Sequence, residues 1–323
     1  MSLKSVINCI EKNKYFLITT HTNLEGDALG SELSFYNLLR RLGKKAELVN
    51  EDRVPLNYEF LPYKDKIRRL KEMDLKGFNF DYLVILDCSD LTRTGNVYKL
   101  NSENKPILNI DHHISNEKFG RINWVDPEAS STAEMVYRLY KAMKVSLDKN
   151  TAILLYTGIL TDTGSFRYLN TTSFTHRAVS DLLRFNLDIG RIYKNVYENI
   201  PFEEMQVLSK ILAGMKCECN HRIIWLKIEK ELLKKKLSFD LTEYVLNFCR
   251  AIKGAEVVVL FKENLGIENE IRVNFRSTGK IDVNKLAGFF GGGGHKTASG
   301  VTIKGGLESV IHRVLRKIEQ SLR

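Results

Sequence analysis

Four separate stretches of the sequence place carboxylate and imidazole side chains directly after apolar runs, and the most crowded of them is ILNIDHHISN at residues 107–116. A single histidine after a strand is commonly a packing residue, and a single acid commonly caps a helix. Recurrence of the pattern in four places favours one shared site instead. The residues concerned are His21, Glu25 and Asp27 in HTNLEGDALGS, Asp87 in LDCSD, Asp111, His112 and His113 in NIDHHISN, and Asp162 in GILTDTGSFRY.

These residue types together indicate a site for divalent metal ions. Acids that converge on one place repel one another unless positive charge lies between them. Mixed carboxylate and imidazole ligation without thiolate suits Mn²⁺, with Mg²⁺, Fe²⁺ or Co²⁺ as alternatives, and the number of ligands exceeds the need of one ion. Two ions about 3.5–4 Å apart, bridged by one carboxylate, are used for hydrolysis of phosphate esters. The main alternative role for Asp27 is as the N-cap of its own helix.

The elements that must position these residues are predicted to form a parallel α/β domain. The runs FLITT, KAELVN, YLVIL and PILNI are typical of buried parallel strands, and helical crossovers separate them. The first such helix is predicted to end at Gly43. Three further helices are predicted over 130–143, 148–164 and 173–186. Ligands in such sheets bind beyond the carboxyl ends of the strands, which is where the acids and histidines lie.

A second, smaller α+β domain is predicted beyond Gly214. Its strands are KCECN, RIIWLKIE, EVVVLFKE and EIRVNFRS, and its helices lie near 240–253, 282–289 and 306–322. The stretch ENIPFEEMQVLSKILAG has the pattern of a helical bridge. We therefore predict a metal-binding domain over 1–196, a linker helix over 197–214 and a second domain over 215–323.

Composition excludes several classes of protein. A chain of 323 residues, 43% of them hydrophobic, can bury a large core, and its length favours two domains. The apolar runs are too short to span a bilayer and MSLKSVINCIEKNK reads as an amphipathic helix, so we expect a cytoplasmic protein without a membrane partner. Five scattered cysteines suit a reducing compartment, and Cys217 and Cys219, predicted on one face of a strand, are interpreted as structural.

The net charge of +10 favours anionic partners such as phosphates or nucleic acid. However, lysine-rich runs such as KKAEL, LKKKL and VLRKIEQSLR are typical of solvated helix faces. Charge alone therefore does not identify the partner.

The four acidic motifs resemble, in order, those of the DHH phosphoesterase family, whose name matches the triplet at 111–113. Two further motifs, RVNFRS at 272–277 and GGGGHKTASG at 291–300, are similar to the substrate-binding domain of its nanoRNase and pAp-phosphatase subgroup. The resemblance covers essentially the whole chain. It implies a phosphodiesterase or phosphatase with two Mn²⁺ ions. We expect direct hydrolysis, because a metal lowers the pKa of bound water from 15.7 toward about 7 and no Ser or Cys nucleophile motif is evident.

The resemblance also implies a role for each residue of the site. His21 and Glu25 would hold one ion, Asp27, His112 and Asp162 would hold the other, and Asp87 would bridge them. Asp111 would orient the ligands and His113 would face the scissile phosphate, so that Asp87, Asp111, His112 and His113 form the catalytic set. The family usually has Pro-Asp where this chain has Leu24-Glu25, so this carboxylate lies one methylene further out.

Residues of the second domain are predicted to bind the substrate. The glycine run 291–294 would let backbone N–H groups approach an anion, with His295 and Lys296 supplying charge, and a flexible hinge is the alternative. The Arg276 guanidinium and the Ser277 hydroxyl would bind a terminal phosphate, with Arg272 on the same strand face. The predicted substrate-binding set is Arg272, Arg276, Ser277, Gly292, Gly293, Gly294 and His295.

The resemblance implies hydrolysis of very short oligoribonucleotides that fit between the two domains, and of 3′-phosphoadenosine 5′-phosphate (pAp). A cyclic di-AMP or pApA phosphodiesterase is the first alternative. A nucleotide-binding protein that has lost one metal and its activity is the second, and hydrolysis of pyrophosphate or polyphosphate is the third. A homodimer is left open as the state of assembly.

Overall fold

The computed structural model describes residues 2–72, 79–233, 241–264 and 266–322. The chain divides into two compact units, Met1–Asn199 and Ile200–Arg323. Each unit has its own six-stranded sheet.

The first unit alternates strands and helices as the sequence predicts. Its elements are α1 (Leu3–Lys12), β1 (Tyr15–Thr19), α2 (Gly26–Arg41), β2 (Lys45–Asn50), β3 (Ile67–Arg69), β4 (Tyr82–Leu86), β5 (Ile107–Asp111), β6 (Ile122–Val125), α3 (Thr132–Ala142), α4 (Lys149–Asp162), α5 (Ser173–Leu183) and α6 (Ile189–Tyr197). Short 3₁₀ turns lie at Leu56–Tyr58, Lys64–Lys66, Leu70–Glu72, Leu91–Thr94 and Val97–Leu100. Sequence analysis missed β3, β6 and α6, which are short or lack a strong apolar period.

All strands of the first sheet are parallel, in the order β3-β2-β1-β4-β5-β6. The parallel α/β prediction is therefore confirmed. Strand β2 pairs with one side of β1 and strand β4 pairs with the other side. The direction in which successive strands are added therefore reverses between β1 and β4. Such a switch point opens a crevice at the carboxyl ends of the two strands, where ligands bind in open α/β sheets.

Helix α2 is buried along almost its whole length and crosses α4 closely. A Cβ at Gly30 would lie 2.5 Å from the carbonyl oxygen of Leu154, and one at Gly158 would lie 2.9 Å from Oδ1 of Asp27. Glycine is therefore required at both positions, because any side chain would push the helices apart. The close crossing holds the first turn of α2 against α3, and this contact places Asp27 in the site described below.

Glu32, on α2, is a fully buried acid that the predicted metal site does not use. Its Oε1 accepts a hydrogen bond of 2.7 Å from Asn50, while Oε2 is buried without a partner among the described residues. Burial raises the pKa of Glu32 to about 8. The folded state therefore favours the protonated acid. The free energy of unfolding falls as the pH rises from the ordinary glutamate pKa toward 8.

Replacement of Glu32 by glutamine should remove this pH-dependent loss, because the amide keeps the shape of the acid and cannot ionise. We expect E32Q to raise the free energy of unfolding at pH 8 by on the order of 2 to 3 kcal/mol more than at pH 5. Urea unfolding at the two pH values measures the difference. An equal effect at both pH values would show that Glu32 does not titrate in this range.

The second unit is an α+β domain with a mixed sheet. Its elements are α7 (Phe202–Ala213), β7 (Lys216–Glu218), β8 (Ile223–Ile228), α8 (Lys230–Leu233), α9 (Thr242–Arg250), β9 (Val257–Glu263), β10 (Glu270–Ser277), α10 (Val283–Phe289), β11 (Gly293–Gly294), β12 (Ala298–Lys304) and α11 (Leu307–Ser321). The strand order is β11-β12-β10-β9-β8-β7, with only β8 and β9 parallel. The predicted α+β class is confirmed, although β11 and β12 were missed.

Helix α7 belongs to the second unit. Val207, Leu208 and Ile211 pack in one apolar cluster with residues of β8, β9 and α9. The prediction that 197–214 links two domains stays a prediction.

The two faces of the second sheet are covered differently. Helices α10 and α11 pack on one face, against alternate residues of β8, β9, β10 and β12 such as Val273 and Val301. The cluster with α7 and α9 on the other face takes its strand residues from β8 and β9. There β10 presents polar side chains, Arg272, Asn274 and Arg276, which alternate with its buried residues.

Two local predictions are wrong, and a third falls mostly on residues outside the described ranges. The run KKAEL lies at the start of β2, a strand rather than a helix face. Strand β7 ends at Glu218 and Cys219 follows with a left-handed φ of 51°, so Cys217 and Cys219 do not share a strand face, and both are exposed. Most of the run LKKKL, and residue 240 of the helix predicted at 240–253, lie outside the described residues.

Candidate active site

The site lies at the carboxyl ends of three adjacent strands of the first sheet, β1, β4 and β5. His21 follows β1, Asp87 follows β4, and β5 ends at Asp111, which His112 follows. Strand β4 lies between the other two, with Ile85 aligned beside Thr19 and Leu86 beside Ile110. The parallel register therefore brings the polar ends of these strands together.

Asp87 lies at the centre of the site. Its Oδ2 is 3.4 Å from Nε2 of His21, and its Oδ1 is 3.6 Å from Nε2 of His112. The residue is buried and has a φ of 52°, a left-handed conformation that is unusual outside glycine, asparagine and aspartate. Strained backbone of this kind is concentrated at functional sites. The two carboxylate oxygens thus face two different histidines.

His21 and Glu25 complete the group on the Oδ2 side. Nδ1 of His21 lies 2.7 Å from the carbonyl oxygen of Thr22 and donates to it, so Nε2 is the nitrogen that faces the site. Oε1 of Glu25 lies 3.9 Å from that Nε2. Potential ligand atoms of His21, Glu25 and Asp87 all lie within 4.8 Å of one another.

Glu25 is also the N-cap of α2. Its Oε2 accepts from the N–H of Asp27 at 2.9 Å and its Oε1 accepts from the N–H of Ala28 at 2.7 Å. The role of own-helix N-cap proposed for Asp27 is therefore wrong, because the residue two positions earlier fills it.

Asp27 instead accepts hydrogen bonds from the first turn of another helix. Its Oδ2 accepts from the N–H of Thr132 at 2.6 Å and its Oδ1 accepts from the N–H of Ala133 at 2.8 Å, both at the start of α3. A helix N-terminus stabilises the negative charge there. Nε2 of His112 lies 3.9 Å from Oδ2 of Asp27, and ligand atoms of Asp27, Asp87 and His112 form a second group within 4.8 Å.

His112 joins this second group to Asp162 at the end of α4. Its Nδ1 lies 3.3 Å from the carbonyl oxygen of Ala129, and its Nε2 lies 3.5 Å from Oδ2 of Asp162. The backbone contact directs Nε2 toward the carboxylates, a feature common in metal-binding histidines. Asp162 is more accessible than Asp27 and Asp87, with 28% of its side chain exposed.

Asp111 contacts the ring of His113 and so orients it. Its Oδ1 accepts from the N–H of His112 at 2.9 Å and lies 2.7 Å from Nδ1 of His113, and its Oδ2 accepts from Asn116 at 2.6 Å. The buried acid therefore fixes the orientation of the His113 ring, and Asn116 in turn fixes the acid.

The electrostatics of the site show crowding of negative charge. Burial, and then the carboxylates of Asp87 and Asp162, hold the pKa of Asp27 well above its usual range. Burial and the Asp87 carboxylate raise the pKa of Glu25 to about 7. Burial opposes ionisation of Asp87 too, but hydrogen bonding to His21 and the charges of the neighbouring imidazoles bring its pKa well below the usual range. Glu25 and Asp27 therefore bind protons more readily than ordinary carboxylates unless a cation balances their charge.

The donor set fits a pair of divalent cations. Two groups of nitrogen and oxygen donors lie on either side of Asp87, and each includes a histidine whose Nδ1 contacts a backbone carbonyl. The site residues are carboxylates and imidazoles, with no thiolate, and such a set suits Mn²⁺, Mg²⁺ or Fe²⁺ better than soft metals. A shared carboxylate between two groups is the arrangement expected of a two-metal site.

Replacement of Glu25 by aspartate should leave activity within about threefold of the parent. Aspartate is a strong N-cap and can still accept from the first turn of α2, and Glu25 lies at the accessible rim, with 39% of its side chain exposed. The measurement is kcat at saturating Mn²⁺, with E25A as the contrasting variant that removes the carboxylate. A loss in E25D as large as that in E25A would mean that the site depends on the longer side chain.

In the second unit the structure separates residues that were predicted to act together. Arg272 and Arg276 lie on the same polar face of β10, as alternation predicts. Ser277 lies on the opposite, buried face, and its hydroxyl donates to the carbonyl oxygen of Ile281 at 2.7 Å. We therefore exclude Ser277 from the proposed phosphate site.

The glycine run forms a tight hairpin rather than an open cradle. Gly293 and Gly294 pair with Gly300 and Ser299 of β12. The N–H groups of Gly291, Gly292 and His295 donate to carbonyl oxygens of this chain, so those three are not available to an anion. A side chain at Gly300 would lie 2.8 Å from Nη2 of Arg272, and glycine there lets the guanidinium extend across β12.

Two residues of the site were missed by sequence analysis. The hydroxyl of Thr132 donates to Oδ1 of Asp87 at 3.1 Å, and Asn116 bonds Asp111. Thr132 was assigned only to the start of a helix, although a helix N-terminus near an acidic cluster is a signal for anion contacts. Asn116 lies in the same DHHISN stretch as the histidines, but its spacing alone gave no contact.

Comparison with known proteins agrees with the fold and with the family that the sequence resembles. Residues 15–159 match the model of the DHH family, N-terminal domain, and residues 230–323 match the DHHA1 domain. Bifunctional oligoribonuclease and PAP phosphatase NrnA of Thermus thermophilus is 30% identical over 322 residues, which is 98% of this chain and 92% of that protein. The protein of the same name from Bacillus subtilis is 26% identical, with 92% of each chain covered.

A solved structure is also similar over nearly the whole chain. An exopolyphosphatase-related protein from Bacteroides fragilis superposes with a TM-score of 0.85 at 28% identity, covering 98% of this chain and 94% of that one.

The two domains and the site together define a metal-dependent hydrolase of phosphate esters. The chain belongs to the DHH family and carries a DHHA1 domain. It is a phosphodiesterase or phosphatase.

Proposed function

We propose that the protein is a two-metal, Mn²⁺-dependent hydrolase that degrades very short oligoribonucleotides and removes a phosphate from pAp. The observation that carries the two-metal part is Asp87, whose two oxygens face His21 and His112 separately. The names of relatives in Thermus thermophilus and Bacillus subtilis, which describe oligoribonuclease and PAP phosphatase activities, support the choice of substrates.

We assign one ion to His21, Glu25 and Asp87, and the other to Asp27, Asp87, His112 and Asp162. When bound, such ions would neutralise charge on a phosphoryl group and lower the pKa of a bound water, and no protein nucleophile would be required. The protein's own residues position the reactants. Thr132 donates to Asp87, and the N-terminus of α3 holds Asp27, so both acids keep their orientation.

His113 is proposed to contact the scissile phosphate. Asp111 accepts from its Nδ1, so the ring is held in one tautomer and Nε2 is the nitrogen not held by that acid. With a hydrogen on Nε2 as well, the ring would donate to a phosphoryl oxygen. His113 then stabilises negative charge that develops on the phosphoryl group.

The polar face of β10 is proposed to hold the part of the substrate that does not react. The guanidinium groups of Arg272 and Arg276 can each donate paired hydrogen bonds to a phosphate. Nη1 of Arg272 also donates to Oγ1 of Thr302 at 3.3 Å. His295 and the glycine hairpin are proposed to border this face.

Replacement of Arg276 by alanine should raise KM for pAp by about 10- to 100-fold, the range expected for loss of a charged hydrogen bond to phosphate, with a smaller change in kcat. R276K should recover part of the loss, because it keeps the charge but not the fork. Arg222→Ala serves as the control, since its guanidinium lies 3.2 Å from Glu256 instead. An unchanged KM in R276A would remove this arginine from the substrate site.

The function itself is tested by comparing substrates. Hydrolysis of pAp, pApA, a 5-mer RNA, cyclic di-AMP and pyrophosphate should be measured side by side with Mn²⁺. Fast release of AMP from pAp and pApA supports the proposal. Preference for cyclic di-AMP would replace it by a cyclic dinucleotide phosphodiesterase, and preference for pyrophosphate by a pyrophosphatase. Binding of pApA without turnover would make the protein a nucleotide-binding protein.

Among the described residues, no helix is long and apolar enough to cross a membrane. The cytoplasmic location and the homodimer considered from the sequence stay predictions.

A further inference from the structure

A basic groove with an exposed aromatic ring lies at the β12 edge of the second sheet. Strand β11 pairs with Ser299 and Gly300 of β12, and the last three residues of β12, Thr302 to Lys304, border a groove of about 710 Å³. The end of α10 and one face of α11 also line this groove. This volume is within the range of ligand sites. The groove is lined in part by Phe289, Lys304, Arg313, Arg316 and Lys317.

The charge of the groove has one sign. Lys304, Arg313, Arg316 and Lys317 line it, and the described residues that line it include no acid. None of these four cations has an ion pair with an acid in the part of the chain that the structure describes. The second unit as a whole has 21 lysine and arginine residues against 14 aspartate and glutamate residues, so most of the excess positive charge of the protein lies there. A groove of this kind attracts a polyanion.

Phe289 gives the groove a second feature. It is 64% exposed at the end of α10, and Nζ of Lys317 lies 4.0 Å from the centre of its ring. A second groove, lined in part by Lys280, Asp282 and Lys285, is bordered by the same phenylalanine and by Lys317. Exposed aromatic rings among cations are the arrangement that proteins use to stack the bases of single strands while cations contact the phosphates.

The face is more than a solvated side of a helix. Positions 313, 316, 317 and 320 of α11 are spaced by three and four residues and share one face, as solvated charges often do. A solvated face does not explain the exposed phenylalanine from another helix or the groove between the elements. We propose that this groove is a binding surface for single-stranded RNA, separate from the polar face of β10, in which Phe289 stacks a base and the four cations contact phosphates.

Fluorescence anisotropy of the Mn²⁺-loaded protein with a labelled 12-nucleotide RNA tests the proposal, with the integrity of the RNA verified on a gel afterwards. We expect R313E/R316E to weaken binding by at least about tenfold and to lower the slope of log affinity against log salt by about 1.4. F289A and F289L should weaken binding at least about fivefold, whereas F289W should stay within about twofold of the parent.

Three controls distinguish binding in this groove from binding at the substrate face and from an effect of net charge. R191E/K194E changes the net charge equally at exposed positions of α6, and it should leave binding within about twofold. R276A should also retain binding of the 12-mer, and R313E/R316E should retain hydrolysis of pAp. Loss of binding in R276A would assign the RNA to the substrate face, and an equal loss in R191E/K194E would reduce the effect to net charge. Either result overturns the proposal, as does a parent protein that binds vesicles of anionic lipid but not the RNA.

Discussion

The Asp87→Asn protein is expected to lose at least about 10³-fold in kcat on pAp while keeping its fold. Losses of this size follow removal of one member of a catalytic group that acts as a unit. The amide would keep the size of the side chain but would lack the charge that both donor groups share. Since Asp87 contributes to both proposed ion sites, we also expect the Mn²⁺ concentration for half-maximal activity to rise steeply.

Asparagine is a better replacement than alanine because of the backbone at this position. The φ of 52° is tolerated by asparagine, whereas alanine adds a backbone cost of about 1 to 2 kcal/mol. Asp87→Ala should therefore be as inactive as D87N but less stable. A thermal melt of both proteins separates the loss of charge from the backbone cost.

Asp81→Asn provides a matched control on the same strand region. Asp81 lies just before β4, at the opposite end from Asp87, and accepts from the N–H groups of Lys14 and Tyr15 at 2.8 and 2.9 Å. D81N should reduce stability by about 1 kcal/mol and leave kcat unchanged. Near-normal turnover in D87N would exclude the proposed two-metal arrangement.

The Asp111→Asn protein is expected to lose about 10- to 100-fold in kcat, with the Mn²⁺ concentration for half-maximal activity changed less than about threefold. The acid accepts from three donors, and an amide cannot accept from both Asn116 and His113 with its NH₂ group. At least one of those contacts is lost, so the His113 ring is held less firmly in its orientation. Residues that orient a ligand or catalytic group typically contribute effects of this size.

The split between turnover and metal dependence distinguishes orientation from ligation. A large rise in the Mn²⁺ requirement of D111N would make Asp111 a ligand, as its distance to Asp87 and His113 permits. Asp126→Asn is the matched control, because Asp126 directly follows β6, the next strand, and pairs with Arg138 at 2.6 Å. D126N should change neither quantity.

The glycine hairpin has backbone hydrogen bonds that its sequence motif did not indicate. The sequence GGGG suggested free backbone N–H groups for an anion, but the N–H groups at 291, 292 and 295 are used within the chain. Glycine is needed there for close approach of strands and for the path of Arg272 over Gly300. Backbone partners of this kind depend on which segments pair, and a local pattern contains no information about the pairing.

The sequence by itself determined the parallel sheet of the first unit and the positions of its polar residues along the chain. Buried strands need continuous apolar runs, and a chain that ends each of three such strands with an acid or a histidine must bring them to one edge. Only the tertiary structure decided which group each residue joins. Asp27 receives the N-terminus of α3 because Gly30 and Gly158 let α2 and α4 cross closely. The partners lie 105 and 106 positions along the chain from Asp27, so no spacing within a motif could indicate that contact.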